Sequence, residues 1–86
     1  MNISDKQEMI KRLNRIKGQV EGILRMIEAP KPPVDIFHQI TAAKKALDST
    51  GRLMLESYIR ENLAGIPRSK GEVDRIKEII GIIEKF

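Results

Sequence analysis

Lys11, Arg12, Arg15 and Lys17 stand together near the amino terminus, with no acid among residues 11–17, and Gln19 follows them. Guanidinium and ammonium groups bind phosphate oxygens, and a side-chain amide offers a donor and an acceptor to a base edge. The chemistry within reach is capture of a polyanion. On a helix, Arg12, Arg15 and Gln19 fall within about 60° of one another, on the side away from the apolar residues. A run of cations is more often a solvated helix face than a binding site. The clustering of these three favours a ligand, and cations so placed would contact phosphates and release counterions.

Residues for bond-making chemistry are missing. The chain has no cysteine, so a disulfide, a thiolate metal site and a thiol switch are all excluded within it. It has one histidine, His38, and no nucleophile–base pair or phosphate-cradling glycine loop. An enzyme is not expected, nor is a cofactor. His38 reads first as a surface or interface residue. A hard-ion site combining it with Asp35 or Glu84 is the alternative, without a spacing signature.

Sixteen basic against twelve acidic residues give a net charge of +4 over 86 residues, enough chain for one small domain, residues 1–86. No apolar run approaches the roughly 18 residues of a membrane span, and no signal-peptide core is present. The expectation is a cytoplasmic protein with no membrane partner.

The elements that must position the cations are helices. In KRLNRIKGQVEGILRMI (residues 11–27), Leu13, Ile16, Val20, Ile23, Leu24 and Ile27 share about 100° of arc. Lys11, Arg12, Arg15, Gly18, Gln19, Gly22 and Met26 are left to the opposite face. Ser4 with Gln7 reads as a capping box, which starts helix 1 near Asp5. Pro30, Pro32 and Pro33 end it, and Pro33 can open helix 2 in its first turn. Ile36, Ile40, Ala43, Leu47, Thr50, Met54 and Tyr58 then repeat at helical spacing, until Gly65 and Pro67 stop them. Ser69 with Glu72 caps helix 3, whose buried side is Val73, Ile76, Ile79, Ile80, Ile83 and Phe86. The class is all-α, with helices 1 and 2 as a long antiparallel hairpin. Such a hairpin leaves much of its seam wet. Burying about 1,000 Å² of it is worth on the order of 25 kcal/mol before entropy, so a dimer at least is expected.

Three segments carry a resemblance: RLNRIKGQVEGILRMIE (residues 12–28), DIFHQITAAKKAL (residues 35–47) and LESYIREN (residues 55–62). With the tail EVDRIKEIIGIIEKF, they make the chain similar over nearly its whole length to the small helical repressors of the CsoR/RcnR/FrmR family. Those respond to copper, nickel or cobalt, or formaldehyde. The resemblance implies a dimeric four-helix bundle, two of which form a flat tetramer. It also implies binding of double-stranded operator DNA without a helix-turn-helix. Carried over by position, the DNA contacts are Arg12, Arg15, Lys17 and Gln19, with Lys44 and Lys45 from helix 2.

The family's sensing residues do not carry over. Its first cysteine falls on Pro33, its helix-2 histidine on Tyr58 and the copper branch's second cysteine on Asn62. Proline offers no donor, and a neutral phenol or amide is a poor ligand for soft metals. The resemblance therefore implies a degenerate effector site, with copper(I) and cysteine-based formaldehyde sensing excluded and the effector unknown. Tyr58 fills the vacated space as core, or lines a pocket with Asn62 for an organic effector. Two rival readings stand beside repression. Gly51 could break helix 2 into a helix-turn-helix with residues 52–63 as recognition helix, or the chain could be a helical module whose basic stripe binds an acidic protein.

Overall fold

A computed structural model describes residues 1–62 and 69–86. It has three helices in order, α1 (Ile3–Glu28), α2 (Pro33–Asn62) and α3 (Lys70–Lys85). α1 and α2 pack antiparallel along their length, while α3 touches only α2. The Gly65 and Pro67 stop lies outside the described residues.

α1 starts earlier than the sequence suggests. Its N-cap is Asn2, in extended conformation, whose Oδ1 accepts the Asp5 N–H at 2.7 Å. Ser4 is already inside the helix, so the Ser4 box does not form: the first residue able to satisfy the orphan amides claims the cap. Ser69 caps α3 as expected, accepting the Glu72 N–H at 3.1 Å. α2 opens at Pro33 and runs unbroken through Gly51 to Asn62, which removes the helix-turn-helix reading.

The hairpin seam is narrower than the apolar stripe. On α1, Asp5, Met9, Arg12, Ile16, Gln19, Ile23 and Met26 step by fours and threes, and all are buried or half-buried. That is the 3.5-residue period of a helix pair packed along its length. α2 answers with Ile36, Ala43, Ala46, Thr50, Leu53 and Ser57. Its small residues let the backbones approach. The Thr50 hydroxyl donates to Ala46 O at 2.9 Å, so this polar group enters the seam already satisfied. At the open end of the hairpin Arg60 binds the Asp5 carboxylate at 2.8 Å, and the Met1 amino group binds Glu61. Arg60, helped by the Ser57 hydroxyl, holds the Asp5 carboxyl below its ordinary value. The stability gained there is present above the ordinary carboxylate range and lost as pH falls through the lowered value.

Two expectations change as a result. Arg12, Gln19, Gly22 and Met26 were expected opposite the seam; they are half-buried on its flank, because α2 docks at one edge of the stripe rather than at its centre. The other edge of the stripe stays open. Leu13, Val20, Leu24 and Ile27 are exposed on α1, as are Phe37, Ile40, Leu47 and Met54 on α2. The molecule measures 59 × 27 × 13 Å, one helix thick, so the hairpin has two broad faces with only its narrow seam buried between them. On α3 only Ile79 is fully buried, at 3% exposure, while Ile80, Ile83 and Phe86 remain open.

The cap assignment has a direct check in denaturant unfolding at fixed protein concentration. Asn2→Ala is expected to cost about 1 kcal/mol and Ser4→Ala only a few tenths. The reverse order would return the cap to Ser4.

Candidate nucleic-acid interface

The two broad faces of the hairpin differ in chemistry. On one, Glu8, Arg12 and Arg15 of α1 meet Ala46, Ser49 and Thr50 of α2 around a cleft of about 270 Å³. On the other, Val20 and Ile23 meet Ile40, Ala43, Lys44 and Leu47 around one of about 390 Å³. The first is the polar face and the second the apolar face.

Arg12 is held rather than free. Its Nε donates to Glu8 Oε1 at 3.1 Å, and one terminal nitrogen donates across the hairpin to Ser49 Oγ at 3.2 Å. The Glu8 pair is a half-exposed i,i+4 contact and adds at most a few tenths of a kcal/mol. Its larger effect is to fix where the guanidinium points. Arg15 is exposed beside it, and no carboxylate among the described residues pairs with it. Gln19 lies half-buried one turn further along, with its Oε1 turned inward and unpartnered. Toward the turn it lines a further cleft of about 420 Å³ with Gly22, Arg25, Met26, Lys31 and Gln39.

The structure thus brings Arg12, Arg15 and Gln19 together. It does not bring the rest of the predicted set to the same place. Lys17 leaves α1 about 160° from Arg15, since two residues turn a helix by about 200°. It flanks the open apolar stripe. Lys44 lines the apolar cleft, whereas Lys45, one residue on, turns to the polar flank with Ser49. Ser49 and Glu8 were missed by sequence reasoning. Glu8 was legible as the i−4 partner of Arg12; Ser49 was not, because only the register of the hairpin brings it there.

The three positions that the resemblance assigns to a degenerate sensing site are placed as follows. Pro33 is the first residue of α2, and Tyr58 lies 25 positions later on the same straight helix, roughly 38 Å away at about 1.5 Å per residue. One chain cannot bring them together. Tyr58 is half-buried, and its hydroxyl donates to Glu78 Oε2 of α3 at 3.2 Å. Asn62 donates to Tyr58 O at 2.8 Å, and its Oδ1 accepts from Arg75 of α3 at 2.9 Å. Both residues are therefore spent on holding α3 to α2. Gly51 completes that contact, for the Phe86 ring sits where its Cβ would be. Tyr58 also lines an apolar cleft of about 390 Å³ with Met54, Leu55, Ile82 and Phe86. Glu78 and Arg75 had no signal in the sequence beyond their polarity.

His38 is exposed, and among the described residues no group of three His, Cys, Asp or Glu side chains could hold a metal ion. Among them also, no helix is long and apolar enough to cross a membrane.

A protein-family description matches residues 5–85: metal-sensitive transcriptional repressor. The chain belongs to that family. Among relatives, the copper-sensing transcriptional repressor CsoR of Bacillus subtilis is 33% identical over 82 residues, covering 95% of this chain and 81% of that protein. The copper-sensing repressor RicR of Mycobacterium tuberculosis is 43% identical over 54 residues, which are 63% of this chain and 56% of RicR. Among solved structures, a variant of the formaldehyde-responsive regulator FrmR from Salmonella enterica serovar Typhimurium superposes with a TM-score of 0.84 at 27% identity. That superposition covers 98% of this chain and 96% of the other. The family is one of repressors and not of enzymes, and the all-α hairpin with a third helix is its fold.

Tyr58 is the only tyrosine, so its titration can be read alone by ultraviolet absorbance. Burial first, and then its hydrogen bond to Glu78, push its pKa above the ordinary 10.0. The neutral phenol is the folded-state form, so its contribution to stability is full below the ordinary tyrosine range and lost as pH rises through the raised value. Glu78→Gln should bring the midpoint part of the way back toward 10.0. An unchanged midpoint would show that the Tyr58–Glu78 contact is absent in solution.

Proposed function

We propose that this member of the metal-sensitive repressors holds double-stranded operator DNA on the polar face of its hairpin, and that it does so as an oligomer with a degenerate sensing site. The observation that carries the DNA reading is the grouping of Arg15, unpaired and exposed, with Arg12 and Gln19 on one face, while the opposite face is apolar. Arg12 is oriented by Glu8 and Ser49, Arg15 supplies free charge, and Lys45 adds charge from α2. Lys17 and Lys44 stand on the apolar side and are left out of the face we propose.

The apolar face is the surface for a second copy. A layer 13 Å thick with Leu13, Val20, Leu24, Ile27, Phe37, Ile40, Leu47 and Met54 all exposed cannot keep that face in water at low cost. Two hairpins laid face to face make a four-helix bundle, and residues 1–86 act in it as one domain. A dimer of such dimers gives the tetramer implied by the resemblance. The pairing also explains the sensing positions. Pro33 of one copy and Tyr58 of another can come together only between antiparallel chains.

In this member those positions carry no thiolate or imidazole. Pro33 offers no ligand atom, and Tyr58 and Asn62 are engaged with Glu78 and Arg75. We infer that copper is not its signal. An effector, if one acts, shifts the oligomer between two shapes by binding one of them more tightly, and a few kcal/mol of difference is enough.

Two measurements test this reading. In titrations of a labelled duplex spanning the region upstream of its own gene, Arg15→Ala should bind more weakly and with a shallower dependence on salt. The log–log slope should fall by about 0.9 for each phosphate that is no longer neutralised. Equal affinity and slope would remove the DNA assignment and favour the acidic-protein partner. In analytical ultracentrifugation, Leu47→Glu should shift the protein to a smaller species. Retention of the wild-type mass would place the interface elsewhere.

A further inference from the structure

The polar face carries a second cationic group, at the turn end of the hairpin. Arg25 leaves α1 one helical turn after Gly22, and its guanidinium folds back over that glycine: a Cβ there would stand 3.7 Å from the terminal nitrogen. Lys31 follows in the turn, where its backbone N–H donates to Ala29 O at 2.8 Å. Both residues are exposed, and neither is paired with a carboxylate among the described residues. They flank the cleft shared with Gln19 and Gln39.

The spacing between the two cationic groups has the scale of a groove. Arg15 and Arg25 are separated by about 15 Å along α1, at roughly 1.5 Å per residue. The major groove of a duplex is about 12 Å wide, with a phosphate strand on each side. Between the two groups the face is low. Gly18 and Gly22 lie there, and a Cβ on Gly18 would meet nothing within 4 Å. Packing within the chain therefore does not call for glycine at position 18, although a mid-helix glycine costs about 1 kcal/mol relative to alanine. A face lowered at Gly18 and bounded by cations at both ends lets a duplex come close while its two strands meet charge.

We propose that Arg25 and Lys31 form a second phosphate-binding site for the same duplex. Each hairpin then straddles one groove, with Arg12 and Arg15 on one strand, Arg25 and Lys31 on the other, and Gly18 and Gly22 over the groove mouth. This rests on the reading of the polar face as a DNA surface. It assigns to the turn a binding role separate from its structural role of joining α1 to α2.

The test uses the full chain and the duplex from upstream of its own gene, in three parallel salt titrations: wild type, Arg15→Gln, and the double variant Arg25→Gln with Lys31→Gln. The double variant is expected to melt with the wild type and keep its mass. It should bind about tenfold more weakly or worse, with a slope lowered by about 0.9 for every phosphate each chain ceases to neutralise. Gly18→Leu supplies an independent arm: it has room in the fold and a better helix propensity, so it should leave the melting temperature unchanged or raised while weakening binding. Wild-type affinity and slope in the double variant, beside a weakened Arg15→Gln, would overturn the second site and leave the DNA reading intact. No binding by the wild-type protein would remove both.

Discussion

The contact on which the rest of the molecule depends is the row where α1 lies on α2. Ile16 meets Thr50 and Ile23 meets Ala43 along it. One partner in each pair is large and the other small, so the helices sit close and in one register. Because α2 takes only one edge of the apolar stripe, the hairpin divides into two faces of opposite character. Docking at the centre of the stripe would have buried Leu13 and Val20 and turned Arg12 and Gln19 away from α2. The offset fixes Arg12 between Glu8 and Ser49, and it leaves Leu13, Val20, Leu24 and Ile27 open.

The division has an energetic logic. A single layer of helices buries too little apolar surface for its length, and hydrophobic stabilisation scales with the area removed from water. The open apolar face is therefore the surface for a second copy in our reading, while Arg12, Arg15 and Arg25 lie on the face that stays wet. Charges on the wet face keep their hydration until a polyanion arrives, and the released counterions then favour binding. In our reading assembly and DNA capture draw on different free energies, and only the second weakens steeply as salt rises.

α3 adds a third element. Of the positions onto which the resemblance maps the family's ligands, Pro33, Tyr58 and Asn62, the last two hold α3 through Glu78 and Arg75. Hydrogen bonds between side chains that are partly wet are individually weak. Together with the Phe86 ring on Gly51, they seat α3 against α2 without a metal. In our reading, these positions serve packing rather than sensing.

The residues alone determined the all-α class, the turn at Pro30 to Pro33, the Ser69 cap and the family, since periodicity, proline and short capping patterns act locally. They also marked Arg12, Arg15 and Gln19 as one cluster, because residues three and four apart share a helix face whatever the fold. The choice of Asn2 over Ser4 as cap showed only in the folded helix, and the split of the apolar stripe and the separation of Lys44 from Lys45 were decided by tertiary structure. So were Ser49 beside Arg12 and Glu78 beside Tyr58. All but the cap depend on how one helix is rotated and slid against another, and a stripe about 100° wide allows several such rotations. The seam of small residues on α2 selects one of them, and that choice sets which α2 cations join those of α1.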